Sequence, residues 1–328
     1  MAEYKGIKGF KVQYLSADPS DPIIGQTWYN STSKDLKYTG ATAAGAWATG
    51  NNLNTARRNL GGAGIQTAAL AFGGVDGTAA TEEYDGTNWA SVNSLNTARV
   101  GLTGCGIQTS ALAFGGLIPP FTTATEEYDG TNWTTVNSMN TARREMGAAG
   151  IQTAALGFGG YNPPIYLSAT EEYNGTSWTT SPGSLNTPRG FLRGCGTQTA
   201  GLAFGGQDST GVTAATEEYD GSTWTSNPTG LNTARGGNLG SAGTQTAALA
   251  FGGSPGSSPY ITGATEEYDG ATWTSNPTGL STARQLLTGC GTQTLALGFG
   301  GYSGTTVLAA TEEWLGAGAA VTKTITVS

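Results

Sequence analysis

LNTARVGLTGCGIQTSALAFGGLIPPFTTATEEYDGTNW, the stretch Leu95–Trp133, decides the fold, because five near-copies of it fill most of the 328-residue chain. The arginines that open the copies lie 42 to 49 residues apart, from 57 to 99 at the closest and from 235 to 284 at the widest. A fixed period of this length indicates an array of similar units that stack against one another. The units are predicted to begin near Arg57, Arg99, Arg143, Arg189, Arg235 and Arg284.

Each copy carries four segments with the pattern of short β-strands. In the second copy they are 99–106, 109–116, 123–128 and 132–136. The second segment is a nearly continuous apolar run, which is typical of a strand buried on both faces. Asp129-Gly130 separates the third segment from the fourth, and this dipeptide favours a tight hairpin turn. We therefore predict an all-β fold built from four-stranded antiparallel sheets.

The order of residues within a copy resembles the kelch repeat. Arg99 opens the copy, Gly115-Gly116 ends its second strand, and Tyr128 and Trp133 follow. The resemblance covers residues 45–314 and implies a kelch-type β-propeller with one blade per copy. The same family includes galactose oxidase, a copper enzyme with His and Tyr ligands. Because this chain has no histidine, copper-dependent oxidation is not expected of it. No cofactor is expected either.

The two ends of the array predict how the ring closes. The last copy ends in TEEWLGAG, Thr311–Gly318, without the usual final strand, whereas Trp47 lies in an isolated final strand before the first copy. Pairing the two would close a six-bladed ring without an exposed edge, with 25–52 and 315–328 as the closing segments. In the alternative, the β-branched segment VTKTITVS, Val321–Ser328, takes that place. The N-terminal strands then build a seventh blade.

The first 24 residues are predicted to form an attachment arm, and residues 25–328 the propeller. The arm is basic and ends in the linker-like stretch SADPSDP,. Short strands are predicted near 27–30 and 36–38, on either side of a polar turn. Most of the lysines lie in this N-terminal region, which is therefore electrostatically distinct from the acidic array. They are Lys5, Lys8, Lys11, Lys34 and Lys37.

Composition argues against several classes of function. The net charge of −8 and the pI near 4.6 disfavour nucleic-acid binding, which needs clustered Lys and Arg. The lack of histidine excludes His-based triads and His metal sites. No apolar run reaches the roughly 20 residues of a membrane span, and the start MAEYKGIKGFKVQYL lacks the apolar segment of a secretory signal. We expect synthesis in the cytoplasm, no membrane insertion and no nucleic-acid partner.

The repeated polar residues are predicted to stabilise the framework rather than to act in catalysis. Neighbouring glutamates on a strand, such as Glu126-Glu127, point to opposite faces. One glutamate of each pair is therefore expected to pair with a repeat arginine such as Arg99 or Arg143. The glutamines of the GIQT and GTQT segments are expected to satisfy backbone groups at the first hairpin. The chain is not predicted to be an enzyme.

Three cysteines, Cys105, Cys195 and Cys290, take the same place in alternate copies, on the predicted innermost strand. Thiols that face a central channel suggest a metal site. Alternate blades of a six-bladed ring should hold them farther apart than the ~2.3 Å of a zinc–sulfur bond allows. Packing of small residues is therefore the preferred interpretation, and no metal site is predicted. The cysteines are also too few and too far apart for a disulfide scaffold.

The loops between the second and third strands differ in length and content from copy to copy, and loops on a rigid scaffold often carry function. Exposed aromatic side chains suit the recognition of sugars or proteins. Free drift of surface loops is the alternative explanation. The predicted ligand-binding residues are Phe121, Tyr161, Tyr166, Tyr260 and Tyr302.

The segment GQTWYNSTSKDLKYTG, Gly25–Gly40, resembles the short WYN…LKY segments of bacteriophage tail-fibre proteins. The resemblance implies a virion structural protein, whose arm binds other virion proteins and whose propeller binds a host-surface glycan or protein. If the chain is a tail fibre, a trimer is expected, although the sequence has no coiled-coil heptads. The alternative is a cellular kelch protein that acts as an interaction scaffold.

Overall fold

The computed structural model describes residues 12–20, 23–41, 45–317 and 320–325. The chain divides into two compact units, one of Ala46–Trp314 and one of Met1–Gly45 together with Leu315–Ser328. Strands dominate both units, and the described residues contain one short 3-10 helix, Val75–Gly77. The described residues include no helix with the length and apolar character of a membrane-spanning segment.

The smaller unit is a four-stranded sheet. Its strands, in spatial order, are β1 (Gln13–Leu15), β2 (Thr27–Asn30), β3 (Asp35–Ala41) and β32 (Ala320–Thr324). β1 runs parallel to β2, and the other pairs are antiparallel. The strands predicted near 27–30 and 36–38 are confirmed as β2 and β3.

The predicted arm of residues 1–24 overlaps this sheet, because Gln13–Leu15 pairs with the strand that begins at Thr27. Residues 1–11, with Lys5, Lys8 and Lys11, lie outside the described residues, as do residues 21 and 22. The C-terminal segment also forms the predicted strand. Its partner is β3 of the smaller unit rather than the last repeat.

Asp18 ties the loop before β2 to the smaller sheet. Its carboxylate accepts hydrogen bonds from Trp28 Nε1 at 3.0 Å and Asn30 Nδ2 at 2.7 Å, and Lys37 Nζ lies 2.7 Å away. These partners, Lys37 above all, lower the pKa of Asp18 to about 2. The carboxylate is therefore charged at neutral pH.

The larger unit, described without a gap, contains six four-stranded antiparallel sheets and is consistent with a β-propeller,. β4 (Ala46–Gly50) is the first strand of this unit along the chain, but it belongs to the last of the six sheets, which is called sheet 6 below. Two loops carry small hairpins, β15 (Tyr161–Asn162) with β16 (Ile165–Tyr166) and β21 (Gln207–Asp208) with β22 (Gly211–Val212). Sheet 1 has β5 (Gly61–Ile65), β6 (Ala68–Phe72), β7 (Thr81–Tyr84) and β8 (Trp89–Val92); sheet 2 has β9 (Thr103–Ile107), β10 (Ser110–Phe114), β11 (Thr125–Tyr128) and β12 (Trp133–Val136); sheet 3 has β13 (Gly147–Ile151), β14 (Ala154–Phe158), β17 (Thr170–Tyr173) and β18 (Trp178–Thr180); sheet 4 has β19 (Arg193–Gly196), β20 (Gly201–Phe204), β23 (Thr216–Tyr219) and β24 (Trp224–Asn227); sheet 5 has β25 (Gly240–Gly243), β26 (Ala248–Phe251), β27 (Thr265–Tyr268) and β28 (Trp273–Asn276); sheet 6 has β29 (Thr288–Gly291), β30 (Leu295–Phe299), β31 (Thr311–Leu315) and β4.

The turn between the third and fourth strands has four residues and differs from the tight hairpin turn that Asp129-Gly130 predicts. Tyr128 pairs with Trp133, so four residues connect the two strands. The Asp129 carboxylate accepts hydrogen bonds from the backbone N–H groups of residues 131 and 132 at 2.8 and 2.7 Å. Only Gly130 takes a positive φ, of 90°. The aspartate side chain thus stabilises the turn as an Asx turn, together with the backbone hydrogen bond from the Asp129 N–H to the Asn132 carbonyl at 3.1 Å.

Neighbouring sheets pack through their first strands and through apolar clusters between them. β5, β9, β13, β19, β25 and β29 contact one another in this order, and β29 also contacts β5. Phe72 of sheet 1 packs against Trp133 of sheet 2, with ring centroids 5.1 Å apart. Trp47 on β4 takes the equivalent place in sheet 6, against Phe251 at 4.7 Å. The strand from the start of the array therefore contributes to the same packing as the fourth strands of the other sheets.

Candidate functional site

The predicted pairing of repeat arginines with glutamates is confirmed. Arg99 Nη2 lies 2.9 Å from Glu126 Oε1, and its Nη1 donates to the carbonyls of Gly115 and Ala124. Both side chains are completely buried. Burial lowers the pKa of Arg143 and of Arg189 to about 10, which leaves both charged at neutral pH. The other pairs, at 2.6 to 3.1 Å, are Arg57–Glu82, Arg143–Glu171, Arg189–Glu217, Arg235–Glu266 and Arg284–Glu312.

The tryptophan and the glutamine of each copy bond to the neighbouring sheet, and so does the second glutamate of every copy except the fifth, where Glu267 bonds to Asn276 of its own sheet. Tyr128 donates its hydroxyl to Glu83 at 2.9 Å, and Trp133 Nε1 donates to Thr81 Oγ1 at 3.0 Å. Gln108 Nε2 donates to the carbonyls of Ala69 and Tyr84 at 3.1 and 2.7 Å. The glutamines therefore satisfy backbone groups, as predicted, but those groups belong to the sheet before their own.

The same bonds join sheet 6 to its neighbours on both sides. Trp47 Nε1 donates to Thr265 Oγ1 of sheet 5 at 2.8 Å, and Trp89 Nε1 of sheet 1 donates to Thr311 Oγ1 of sheet 6 at 2.9 Å. One link differs, because Trp314 stands where the other copies have a tyrosine. Its Nε1 donates to the Gln293 carbonyl at 2.9 Å. The repeated polar side chains are thus engaged inside the framework.

The inner strands enclose a narrow cavity of about 180 Å³, lined by glycines, alanines and the three cysteines. Each cysteine Sγ contacts a carbonyl of the next sheet, at 3.7 Å for Cys105, 3.3 Å for Cys195 and 3.6 Å for Cys290. Burial raises the pKa of each thiol to about 12, so all three are protonated at neutral pH. Protonated thiols are poor nucleophiles and poor metal ligands.

One ring of backbone hydrogen bonds, which we call the belt, links all six sheets in a closed cycle. The donors lie just after the repeat arginines, and all have a φ between 48° and 68°. A left-handed φ is uncommon for the five of them that are not glycine. The bonds, of 2.7 to 3.3 Å, run from Asn59 to Leu286, Gly101 to Asn59, Glu145 to Gly101, Phe191 to Glu145, Asn238 to Phe191 and Leu286 to Gly237.

Belt side chains form a polar network that differs from sheet to sheet. Asn59 Nδ2 donates to Glu145 Oε1 at 2.6 Å, and Asn238 Nδ2 donates to the other oxygen of the same carboxylate. Arg193 Nη1 donates to Asn238 Oδ1 at 3.2 Å, and Nη2 donates to the Leu287 carbonyl at 3.3 Å. Glu145, Asn238 and Arg193 are buried. The network connects sheets 1, 3, 4, 5 and 6 beside the inner cavity, which Arg193 also lines.

Three of the five predicted ligand-binding residues, Phe121, Tyr161 and Tyr166, lie in a row with Arg144. We call this row of four side chains the aromatic stripe. The Arg144 guanidinium lies 5.5 Å from the Phe121 ring and 5.9 Å from the Tyr161 ring. Tyr161 packs against Tyr166 at 4.9 Å and against Phe191 at 5.8 Å. Such distances permit cation–π and aromatic attraction. The stripe therefore joins the loops of sheets 2 and 3 to the belt.

The other two predicted residues lie apart from the stripe in the contacts of the described chain. The Tyr302 ring lies 4.7 Å from the Arg58 guanidinium, and its hydroxyl donates to the Gly304 carbonyl at 2.8 Å. Tyr260 is 68% exposed. The structure thus groups Phe121, Tyr161 and Tyr166 but leaves Tyr260 and Tyr302 outside that group.

A groove of about 590 Å³ lies between the β21–β22 hairpin and the turn Ser254–Ser257. Both segments belong to the loops between second and third strands, and we call the surface that these loops form the loop face. Phe191, Val212 and Leu286 provide its apolar surface, and Gln207 and Gln285 contribute amides. None of its lining residues carries a charge. Sequence reasoning missed this groove, along with Arg144 and the belt. A signal was present, because the two residues after each repeat arginine vary among copies: Arg58-Asn59, Val100-Gly101, Arg144-Glu145, Gly190-Phe191, Gly236-Gly237 and Gln285-Leu286.

Comparison with known proteins adds no family and no relative. No protein-family model matches the chain, and no curated protein matches it either. Function is therefore inferred from the chain's own residues and their geometry.

Proposed function

We propose that the chain is a non-enzymatic structural protein of a bacteriophage virion, and that its larger unit is a six-bladed kelch-type β-propeller which binds a host-surface glycan or protein. The aromatic stripe is the observation that carries this proposal. The repeated polar residues form internal bonds, whereas Phe121, Tyr161 and Tyr166 project from loops that differ between copies. Residues of the second kind remain available to a ligand.

Six blades are favoured over seven by the contacts between sheets 6 and 1. β29 contacts β5, and the Asn59 amide donates to the Leu286 carbonyl at 2.9 Å. A further blade between these sheets would have to separate both contacts. β4 beside β31 supports closure by the strand around Trp47, since both ends of the array then meet within one sheet,.

Recognition of a sugar or a protein surface suits the chemistry of the stripe. Tyrosine presents a large apolar ring with a hydroxyl at its edge and has few rotatable bonds, so holding it in place costs little entropy. Arg144 adds a cation between two of the rings. The hairpin register that pairs Tyr161 with Tyr166 fixes their spacing. A rigid aromatic surface of this kind is typical of binding sites.

Placement in a virion is supported by the segment that resembles tail-fibre proteins. Its WYN residues form β2 and its LKY residues lie in β3, so the two halves of the resemblance pair as one hairpin. Trp28 of this hairpin is completely buried. In the proposal, the N-terminal region binds other virion proteins, and the chain forms a homo-oligomer such as a trimer if it is a fibre.

Immunogold electron microscopy of intact phage particles tests the location. An antibody raised against the full chain should label a discrete site on the tail or capsid of particles that encode it. Label confined to the soluble fraction of infected-cell lysates would contradict virion assembly and would favour a cellular scaffold instead.

Binding of the fluorescently labelled full chain to host cells tests the stripe. The double variant Tyr161→Ala and Tyr166→Ala should bind at least tenfold more weakly. Ile107→Ser is the matched control, because Ile107 is 53% exposed at the first hairpin of sheet 2, at the other end of its strands. Equal binding by both variants would overturn the role of the stripe.

A further inference from the structure

We propose that the groove between the β21–β22 hairpin and the Ser254–Ser257 turn binds an uncharged carbohydrate, with Phe191 as the stacking surface and Gln207 and Gln285 as hydrogen-bonding groups. This inference rests on the proposed function and adds a second binding surface, which adjoins the stripe at Phe191, together with the chemical class of its ligand. The groove volume of about 590 Å³ lies within the roughly 300–1,000 Å³ of small-molecule sites.

Phe191 is held in place independently of any ligand. Its backbone N–H donates to the Glu145 carbonyl at 2.8 Å, and its carbonyl accepts from the Asn238 N–H at 3.3 Å. Its ring contacts Tyr161, with centroids 5.8 Å apart, yet the side chain is only half-buried and lines the groove. A preordered aromatic ring at the edge of a concave surface can stack against the apolar face of a sugar ring without losing further entropy.

The two groove glutamines differ from the six repeat glutamines. Neither the Gln207 nor the Gln285 side-chain amide makes a hydrogen bond to any residue that the structure describes. Their backbones are fixed, because Gln207 bridges Gly190 in both directions at 2.9 and 2.8 Å, and Gln285 bridges Tyr302 at 3.0 and 2.8 Å. An amide offers both donors and acceptors. It therefore suits hydroxyl groups, which also donate and accept.

Two carboxylates on segments that border the groove are already hydrogen-bonded within the protein. The Asp208 carboxylate on the β21–β22 hairpin accepts from Thr210 N, Thr210 Oγ1 and Gly211 N at 2.7, 2.6 and 3.1 Å. Glu145 accepts from two asparagine amides. An anionic ligand such as a phosphate or a carboxylate would find no cationic lining residue in this groove, and desolvating its charge without a partner is costly. The lining thus favours a neutral ligand.

Two immobilised panels test the inference with the full chain, one of neutral oligosaccharides built from hexoses and N-acetylhexosamines, and one of sialylated and sulfated counterparts. Wild type should bind members of the neutral panel. Gln207→Ala and Gln285→Ala should each weaken that binding about tenfold, and Phe191→Ala should abolish it. The glutamine variants guard against misfolding, since their amides make no hydrogen bond to the described residues. Ile107→Ser should bind like wild type.

Each result is decisive for the groove. Binding to the charged panel alone, or neutral binding that survives all three groove substitutions, would overturn the inference. Neutral binding lost only on substitution of Tyr161 and Tyr166 would transfer the sugar site to the stripe. Host-cell binding without binding to either panel would overturn the carbohydrate ligand but leave the proposed function standing. If the wild-type chain bound neither host cells nor either panel, the proposed function itself would be wrong.

Discussion

Gln108 and Gln207 are the same residue type in two regions of the larger unit. At the interface between sheets 1 and 2, Gln108 donates to the carbonyls of Ala69 and Tyr84. On the loop face, the Gln207 amide makes no hydrogen bond to the described residues and lines an open groove. Every copy has the first glutamine, whereas the second occurs at its position only in the fourth copy.

The difference shows how function can be separated from framework in a repeat array. Gln108 has a partner in the neighbouring sheet, and so have its equivalents in the other copies, because each interface is built in the same way. The Gln207 side chain, which occurs once, bonds to no described residue of a neighbouring sheet. Substitutions at the two kinds of position should therefore have opposite consequences, large for stability at one and large for binding at the other.

The largest expected effect on stability comes from breaking a repeated ion pair. Arg99→Ala should lower the free energy of unfolding by about 3–5 kcal/mol, because Glu126 would remain buried without its cation,. Guanidinium denaturation followed by tryptophan fluorescence measures this. Arg58→Ala is the control, since the Arg58 side chain is half-exposed and makes no ion pair with a described residue, although it lies over the Tyr302 ring; it should cost less than about 1 kcal/mol. If both variants lowered the free energy of unfolding by a similar amount, the repeated ion pair would not stabilise the protein more than an arginine on the loops does.

The glutamine comparison predicts the next largest effect. Gln108→Ala should cost about 1–3 kcal/mol, because it removes the donor for two backbone carbonyls between sheets,. Gln207→Ala should change stability by less than about 0.5 kcal/mol, as is usual for a side chain without internal bonds. Thermal unfolding of the two variants beside wild type gives both values. A destabilising Gln207→Ala would show that the groove amide belongs to the framework.

Trp47→Phe tests whether the interface between sheets 5 and 6, to which β4 contributes, resembles the other interfaces between sheets. The variant keeps most of the packing on Phe251 but loses the hydrogen bond to Thr265, so a loss of about 1 kcal/mol is expected. Trp133→Phe removes the equivalent bond to Thr81 and should cost the same. Loss of stability in Trp133→Phe alone, measured by denaturant titration, would mean that β4 contributes less than the other fourth strands.

The smallest expected effect concerns the cysteines. In the folded protein at pH 8, a thiol reagent such as DTNB should not label them, since burial raises the pKa of each thiol to about 12. The stability associated with protonated thiols is complete below the ordinary pKa of 9.0 and is lost as the pH rises toward 12,. Denatured chain should release three equivalents of chromophore, one for each of the 3 cysteines. Rapid labelling of native protein would contradict the buried placement.

The sequence predicts the framework well because each feature occurs six times. The pairing of Arg99 with a glutamate and the use of Gln108 on backbone groups both follow from repetition, since a single active site cannot be built from six equal sets. The four strands of each copy follow from apolar runs and turn residues. The strand in Val321–Ser328 is also predicted, but not its partner, because tertiary packing rather than β-propensity selects which edge a strand joins.

The candidate site is only partly predictable. Comparing loop lengths finds Phe121, Tyr161 and Tyr166, yet it cannot show that Arg144 lies between two of the rings. Phe191 was overlooked because it follows a repeat arginine, at a place where a first strand was expected to begin. Its left-handed φ of 55° places it in the belt instead. Sequence patterns do not reveal such a conformation when the residue is not glycine.

The belt also limits how this chain can have arisen by gene duplication. Side chains from sheets 1, 3 and 5 meet at one carboxylate, that of Glu145. A Cβ at Gly101 would lie only 2.7 Å from its Oε1. Six identical copies that each carried a glutamate here would crowd their side chains into a space that holds one glutamate and two amides. Duplicated copies therefore need either a small residue such as glycine at this position or side chains that differ from copy to copy.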